Sequence, residues 1–188
     1  MNFIQSFDAA VFRALNGAAC PALDFVMPFI TDKANFYAVI IFGAAVILLK
    51  DRKNGARGLI LLAMAVLLSD FAATLVRNAV HRARPCNAID NVRLLVGCSK
   101  SFSFPSGHAT AIFSAMVFLS LRYRRYAPAF LAVAVAVAYS RVYVGVHYPL
   151  DAVGGALLGT GVALVFAEAD RRYGDVFFGK VFRSKNKP

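Results

Sequence analysis

Three short segments of the chain combine arginine, histidine, serine, glycine and aspartate in a way that helix packing does not require. They occupy residues 77–85, 105–108 and 140–151. Phosphoryl transfer needs a nucleophile in line with phosphorus, an acid for the leaving group, and cations around the equatorial oxygens. The three segments contain side chains of each kind, so they predict one site for phosphoryl transfer.

The third segment carries the candidate nucleophile. His147 precedes Pro149, a residue favoured at the first position of a helix, and Asp151 follows four residues after His147. At a helix start this spacing lets the Asp151 carboxylate reach the imidazole. The contact would fix the tautomer of His147 so that its other ring nitrogen attacks, and it would stabilise positive charge on a phosphohistidine.

The second segment predicts a phosphate-binding helix start. Ser106 and Gly107 come just before an apolar run, and free backbone N–H groups at a helix start bind anions. Gly107 allows close approach of the backbone, Ser106 can donate its hydroxyl, and His108 can protonate the leaving group as a general acid.

The arginines are the candidate phosphate clamps. Arg77, Arg84 and Arg141 can form charge-assisted, bidentate bonds to the remaining oxygens. Two other residues of the first segment, His81 and Arg82, fit no step of this chemistry. We expect only a structural role for them.

These segments resemble the pattern of the type 2 phosphatidic acid phosphatase (PAP2) superfamily, which is K-x6-R-P, then P-S-G-H, then S-R-x5-H-x3-D. The second and third elements match at each defined position, whereas Arg77 stands where the family usually has lysine. At this position the planar guanidinium of arginine replaces the compact ammonium group of lysine. The resemblance implies His147 as nucleophile, Asp151 as its partner and His108 as general acid. It implies phosphate binding, without a metal or cofactor, by Arg77, Arg84, Ser106, Gly107 and Arg141.

Two other classes of protein share part of this pattern. Vanadate-dependent haloperoxidases carry the same three-part motif, with vanadate in the phosphate position, but they are soluble and much larger. A non-catalytic lipid binder or transporter would need only the arginines, so the intact His108, His147 and Asp151 argue against it. Asp70 and Asp90 stand apart from other candidate ligands, so no metal site is predicted.

The resemblance leaves the lipid open. The region before the first hydrophobic run is similar to short family members that act on undecaprenyl diphosphate, which makes that lipid the first candidate. The similarity rests on Leu15-Asn16-Gly17, Leu23-Asp24 and Phe29-Ile30-Thr31. Phosphatidylglycerophosphate, phosphatidate and lipid A 1-phosphate are alternatives, because the motif binds phosphate while helix surfaces select the lipid.

The composition indicates a membrane protein. Of the 188 residues, 59% are hydrophobic and 16% charged, and the mean hydropathy is +0.61. This is too apolar for an ordinary soluble domain. The net charge of +11 could suggest nucleic acid, but the basic residues lie between apolar blocks and not along one polar face. The expected partners are therefore a lipid phosphate and the bilayer; the oligomeric state is left open.

Five hydrophobic runs approach the roughly 20 residues needed to cross hydrocarbon. They cover residues 36–50, 57–77, 107–121, 127–146 and 149–168. Glycines in the last run are expected to permit close helix packing. The predicted fold class is all-α, a polytopic transmembrane helix bundle of five to six spans.

The N-terminal region is predicted to lie in the membrane interface. Residues 2–16 have apolar side chains at helical spacing, including Phe3 and Phe7, with Asp8 on the other face. Pro28 interrupts the next apolar stretch, which is expected to form at most a re-entrant or interfacial turn. A sixth span over residues 3–30 is the alternative. The predicted divisions are an interfacial segment (1–35), a catalytic transmembrane domain (36–170) and a basic cytoplasmic tail (171–188).

Charge between the runs predicts the orientation. Basic residues at 50–57, at 122–125 and in the tail indicate cytoplasmic loops. The segments at 78–106 and 141–149 then face outward, although they also carry several cations. An anion bound between these segments would account for basic residues on the outward side of the membrane. The prediction is a bacterial inner (plasma) membrane protein whose site faces the periplasm or outside.

The cysteines leave two alternatives. Cys20, Cys86 and Cys98 fit no zinc spacing and are odd in number, so all three could be free thiols. Cys86 and Cys98 bracket one polar loop, and they could form a disulfide if that loop faces an oxidising compartment.

Overall fold

A computed structural model describes residues 3–183, and every regular element in that range is helical, as the sequence predicts. The α-helices are α1 (Phe3–Gly17), α2 (Pro21–Thr31), α3 (Tyr37–Lys50), α4 (Gly55–Val80), α5 (Pro85–Ala88), α6 (Gly107–Arg122), α7 (Ala127–Tyr143) and α8 (Pro149–Arg183). Short 3-10 turns at Lys33–Phe36 and Arg124–Tyr126 lead into α3 and α7. Each of the five predicted hydrophobic runs coincides largely with one helix, although the run 127–146 extends three residues beyond the end of α7.

Helix α6 occupies the centre of the bundle, where it packs against α8, α7 and α4. Two glycines of α8 permit the closest of these approaches. A Cβ atom at Gly155 would lie 2.6 Å from the Ser106 carbonyl oxygen, and one at Gly159 would overlap the Thr110 carbonyl. The predicted role in close helix packing therefore holds for Gly155 and Gly159, whereas Gly161 has nothing within 4 Å of its Cβ position.

The outer surface of the bundle is apolar, whereas small and polar residues fill much of its interior. Leu157 is 70% exposed, and many other large apolar side chains of the long helices also point outward. The buried set includes Ala65, Ser69, Ala73, Thr110 and Ser114. Helices in lipid associate in this way, because the bilayer solvates apolar side chains and small residues allow close packing.

Among residues 3–183, three helical stretches are long and apolar enough to cross a membrane: Gly55–Ala88, Arg124–Tyr143 and Pro149–Gly174. The apolar stretch Ala34–Lys50 is shorter, and α6 has 16 residues. Helices α1 and α2 meet at 114°, so together they form a broken span or a re-entrant loop. The protein is a helical membrane protein, while the predicted count of five to six spans exceeds the three that meet this test.

Opposite ends of the bundle differ in their charged groups. At one end, Arg122 donates to Asp51 at 3.0 Å and to Asp170 at 3.2 Å, and Arg57 also pairs with Asp170. This cluster joins the end of α3 to the start of α4, the end of α6 and the middle of α8. The three motif segments lie at the other end, where α4 and α7 finish and α6 and α8 begin.

The N-terminal region differs from the sequence prediction in two respects. Pro28 does not end α2, which continues to Thr31 because Met27 and Thr31 are buried against the rest of the protein. Helix α1 buries Asp8, one residue of its predicted polar face, to 1% exposure, whereas Phe3 of the predicted apolar face is 85% exposed. Asp8 is buried because a cation and a backbone N–H group bind it.

The chain after residue 170 also differs in secondary structure from the predicted tail. Helix α8 continues without a break through residue 170 to Arg183, so the first part of the predicted tail is helical. Residues 184–188, the rest of that tail, lie outside the described residues.

Candidate active site

His147 lies in the tight turn that joins α7 to α8. The Arg141 carbonyl accepts hydrogen bonds from the backbone N–H groups of Val146 and His147, both at 3.2 Å, which closes the turn. Pro149 then starts α8, as predicted. The turn buries His147, which is 2% exposed, and sets its Nδ1 atom 3.5 Å from Oδ2 of Asp151. This distance is that of an ion pair and is longer than a normal hydrogen bond.

The Asp151 carboxylate is fully buried and held by several groups. Its Oδ2 atom accepts a 2.8 Å hydrogen bond from the Tyr148 backbone N–H, and its Oδ1 atom accepts a 2.7 Å bond from Arg82. Its backbone carbonyl accepts a 2.9 Å bond from the Ser106 N–H. Asp151 therefore links the first, second and third segments.

Arg84 brings the first segment directly onto the imidazole. Its Nη1 atom lies 3.0 Å from Nε2 of His147 and donates to the Val146 carbonyl at 3.0 Å. Its Nε and Nη2 atoms donate to the carbonyl and hydroxyl oxygens of Ser101 at 2.8 and 3.0 Å. A guanidinium can only donate, so Nε2 of a neutral His147 is the acceptor and Nδ1 carries the proton. The nitrogen with the free lone pair thus faces the arginine.

The loop after Arg84 is closed by a disulfide between Cys86 and Cys98, with a Cα–Cα distance of 6.4 Å. Of the two alternatives for the cysteines, the structure therefore has the bonded form, with Cys20 free. The loop returns the chain to Ser101, whose oxygens hold Arg84.

The second segment begins α6 beside these residues. Ser106 is the residue before the helix, yet its buried hydroxyl does not cap the helix and has no hydrogen-bond partner among the described residues. Nη2 of Arg77 lies 2.8 Å from the position that a Cβ atom of Gly107 would occupy. Glycine is thus required here for the Arg77 guanidinium to approach the start of α6.

Arg141 and His108 complete the set of predicted residues. Arg141 is buried near the end of α7, donates to the Thr31 hydroxyl, and is close enough to Arg84 for their charges to repel. His108 is half-buried in the first turn of α6, immediately after Gly107. All eight predicted site residues therefore lie at the same end of the bundle.

Burial has a strong electrostatic effect on His147. It lowers the pKa of the imidazole to about 4; Arg84 and Arg141 add to the lowering, whereas Asp151 opposes it. Desolvation disfavours the charged form of histidine. His147 is therefore neutral at physiological pH, which is the form that can act as a nucleophile.

Two residues of this site were missed by reasoning from the sequence. Arg82, for which only a structural role was expected, forms ion pairs with both Asp151 and Asp8, at 2.7 and 2.6 Å. Its position inside the first segment was the available signal. Asp8 carried no such signal, since it lies 69 residues before Arg77 in the chain. His81 packs against the Phe102 ring, with ring centroids 4.4 Å apart, and its Nδ1 atom lies 3.3 Å from the Ala79 carbonyl oxygen.

No group of three or more His, Cys, Asp or Glu side chains suited to hold a metal ion occurs among residues 3–183. The polar centre of the site consists instead of arginines, histidines, serine and one carboxylate.

Comparison with known proteins identifies the family. Residues 58–174 match the family model of the PAP2 superfamily. The undecaprenyl-diphosphatase of Sulfolobus acidocaldarius is 30% identical over 170 residues, covering 87% of this chain and 79% of that protein. The lipid A 1-phosphatase of Rhizobium etli is 31% identical over 186 residues, covering 91% and 80%.

A solved structure has the same fold. The transmembrane PAP2-type phosphatidylglycerolphosphate phosphatase from Bacillus subtilis superposes with a TM-score of 0.72 at 26% identity, covering 92% of this chain and 88% of that one. The family match spans all three motif segments. The chain therefore belongs to the PAP2 superfamily, and it is a membrane phosphatase.

Proposed function

We propose that this protein hydrolyses a lipid-linked phosphate through a phosphohistidine on His147, with undecaprenyl diphosphate as its first candidate substrate. The observation that carries the proposal is a set of buried polar atoms around His147 that have no hydrogen-bond partner among the described residues. They are Nε of Arg77, Oγ of Ser106 and Nε of Arg141. A buried unsatisfied donor costs about 1–3 kcal/mol. A phosphate group supplies the acceptors that these donors lack.

The geometry supports a specific first step. Nε2 of His147 gives up the hydrogen bond that it accepts from Arg84 and forms a bond to phosphorus, while the bond from phosphorus to the lipid-side oxygen breaks. His108 gives its proton to that oxygen, which leaves as an alcohol or, from a diphosphate, as the lipid monophosphate. The arginines hold the equatorial oxygens, and the Asp151 carboxylate stabilises the positive charge on the imidazole.

The second step reverses the proton transfer. Neutral His108 takes a proton from water, the resulting hydroxide bonds to phosphorus, and the bond between phosphorus and Nε2 breaks. Inorganic phosphate leaves, His147 returns to its neutral form, and His108 is protonated again. No metal takes part in either step.

We also propose that five helices cross the membrane and that the site faces outward across a bacterial inner membrane. Helices α3, α4, α6, α7 and α8 all run between the charged end and the site end of the bundle. At about 1.5 Å per residue, the 16 residues of α6 extend roughly 24 Å. This is shorter than the roughly 30 Å of bilayer hydrocarbon, and local thinning of the bilayer can absorb the difference. The basic residues at 50–57, at 122–125 and in α8 after residue 170 lie at or beyond the charged end, which favours the cytoplasm for that end.

Helices α1 and α2 fit an interfacial or re-entrant position better than a sixth crossing. Their 114° bend prevents a straight crossing, and the side chains of Phe3, Phe7, Phe25 and Phe29 are exposed. Aromatic and apolar side chains on one face of such a helix insert at the boundary between headgroups and acyl chains.

The names of three related proteins point to three different lipid substrates. The name of the Sulfolobus acidocaldarius relative favours undecaprenyl diphosphate, whereas those of the Rhizobium etli and Bacillus subtilis proteins favour lipid A and phosphatidylglycerophosphate. Phosphatidate is a fourth candidate. In the proposed mechanism, the buried site residues act only on the phosphate group, which all four candidate lipids share.

Phosphate release from these four lipids by the detergent-purified protein, with chelator present, tests the proposal. We expect the highest kcat/KM with undecaprenyl diphosphate. His147→Ala should lower it by more than about 1,000-fold, while His81→Ala should retain it. A higher kcat/KM with another lipid would overturn the substrate assignment, and activity retained in His147→Ala would overturn the nucleophile.

A further inference from the structure

Two linked ion pairs connect helix α1 to Asp151, the carboxylate that contacts His147. Arg82 Nη1 donates to Oδ1 of Asp151 at 2.7 Å, and its Nη2 donates to Oδ2 of Asp8 at 2.6 Å. Both carboxylates are buried, with Asp8 1% and Asp151 0% exposed. The guanidinium lies over the Tyr148 ring, 4.0 Å from its centroid, which fixes its plane. The three charged groups thus form one rigid unit.

The unit also holds the start of α8. The other oxygen of Asp8, Oδ1, accepts a 3.0 Å hydrogen bond from the backbone N–H of Leu150, and Oδ2 of Asp151 accepts one from Tyr148. Asp8 therefore binds the backbone directly after Pro149 and, through Arg82, the Asp151 carboxylate, which in turn binds the backbone directly before Pro149. Each of the four carboxylate oxygens accepts a hydrogen bond, so Asp151 has little freedom to turn away from the imidazole.

The charges of the unit do not cancel. Two carboxylates share one guanidinium, which leaves one net negative charge next to the ring of His147. Without Asp8, Arg82 would neutralise Asp151 alone. A negative charge at this position stabilises the imidazole when it gains positive charge, as it does when phosphorylated.

From these contacts we infer that Arg82 and Asp8 are positioning residues for the phosphatase reaction, and that helix α1 is part of the catalytic framework. They act through Asp151 by orienting its carboxylate and by keeping it negatively charged. The inference rests on the proposed role of His147 as nucleophile. Neither residue touches the phosphate in this account.

A second ion pair of the same kind provides a matched control. Arg93 pairs with Asp24 at 2.5 Å and lies over the Tyr143 ring, 4.7 Å from its centroid. This pair also joins the N-terminal region to the loop after α5, but it does not contact Asp151 or His147 in the contacts described. Arg93→Gln and Asp24→Asn therefore remove an equivalent structural bond without changing the charge beside the imidazole.

The test compares kcat, KM and the pH profile of Asp8→Asn and Arg82→Gln with those of the two control variants. Both test variants should lower kcat by about 10- to 100-fold, as for carboxylates that orient metal-bound histidines, with KM changed less than about threefold. The acid limb of kcat/KM should move to higher pH in Arg82→Gln, which leaves more negative charge, and to lower pH in Asp8→Asn. The controls should leave the limb unmoved.

A double-mutant cycle separates this inference from the proposed function. Because Arg82 acts through Asp151, adding Arg82→Gln to Asp151→Asn should lower kcat less than about threefold further. Additive losses, unmoved acid limbs, or equal losses in the control variants would overturn the positioning role. Activity retained in His147→Ala would instead overturn the proposed nucleophile. It would also remove the reaction step that Asp8 and Arg82 are inferred to support through Asp151.

Discussion

The guanidinium of Arg84 lies against the imidazole of His147, with Nη1 3.0 Å from Nε2. Four further oxygen contacts, to Ser101, Phe102 and Val146, fix this guanidinium. The arginine thus stabilises the unprotonated state of Nε2 and lies where it can contact a phosphate bound in front of that nitrogen. In the proposed mechanism, this contact links the depressed pKa of the histidine to the binding of its substrate.

Replacement of Arg84 by lysine should weaken phosphate binding. Lysine keeps the charge but loses the planar fork that contacts Ser101 and His147 together. A hydrogen bond to a charged group contributes about 1.5–3 kcal/mol, so we expect the inhibition constant of inorganic phosphate to rise by roughly 10- to 100-fold. Lys100→Ala, which removes an exposed cation from the same loop, is the control. An unchanged constant in Arg84→Lys would contradict the contact.

The pH profile should reflect the depressed pKa of His147. The pKa lies near 4, below the ordinary value of 6.5, so the neutral nucleophile persists as the pH falls through 6 and 5. The acid limb of kcat/KM, which reports the free enzyme, should therefore lie below pH 6.5 after correction for ionisation of the substrate phosphate. An enzymatic limb at or above 6.5 would show that the buried environment does not act on this group as described.

Loss of the Cys86–Cys98 disulfide should destabilise the protein. In the chain-entropy model, a disulfide that closes a loop of this size raises the free energy of unfolding by about 3 kcal/mol, and its removal loses this contribution. The double variant Cys86→Ser with Cys98→Ser should show a lower thermal midpoint and a reduced kcat/KM, because the loop carries the oxygens that hold Arg84. Cys20→Ser controls for loss of a thiol. Equal midpoints for the double variant and the unmodified protein would contradict this role.

Close contact between α6 and α8 should make Gly155 intolerant of even one methyl group. A Cβ atom would lie 2.6 Å from the Ser106 carbonyl, so Gly155→Ala must push the two helices apart. Overpacking of this kind costs about 1–3 kcal/mol. Gly161, in the same helix, has nothing within 4 Å of its Cβ position and supplies the control, Gly161→Ala. Similar thermal midpoints for both variants would contradict the packing.

Much of the helix pattern could be predicted because hydrophobic runs and helices coincide in a membrane protein. The position of His147 before α8 also followed from local sequence, since Pro149 favours a helix start. The N-terminal region was harder, because the burial of Met27 and Thr31 outweighs the break expected at Pro28. Their burial depends on residues of α7 and the turn after it, which are more than 100 positions away in the chain.

Arg82 and Asp8 show why part of the site escaped prediction. A motif defines which positions recur, and Arg82 lies between the defined positions of the first segment. The partner of Asp8 is determined only by the packing of α1 against α7 and α8. On the helix pattern alone, Asp8 belonged to the solvent face, which was wrong because its charge is compensated inside the protein.

Trapping of the phosphorylated protein tests the central claim most directly. The chain has three histidines, so rapid quenching with phosphate-labelled lipid followed by peptide mapping can assign the label. We predict a label that is acid-labile, lies on His147, is absent in His147→Ala, and is retained in His81→Ala. A label on His108 or a serine, or turnover in which no phosphoprotein forms at any quench time, would contradict the account.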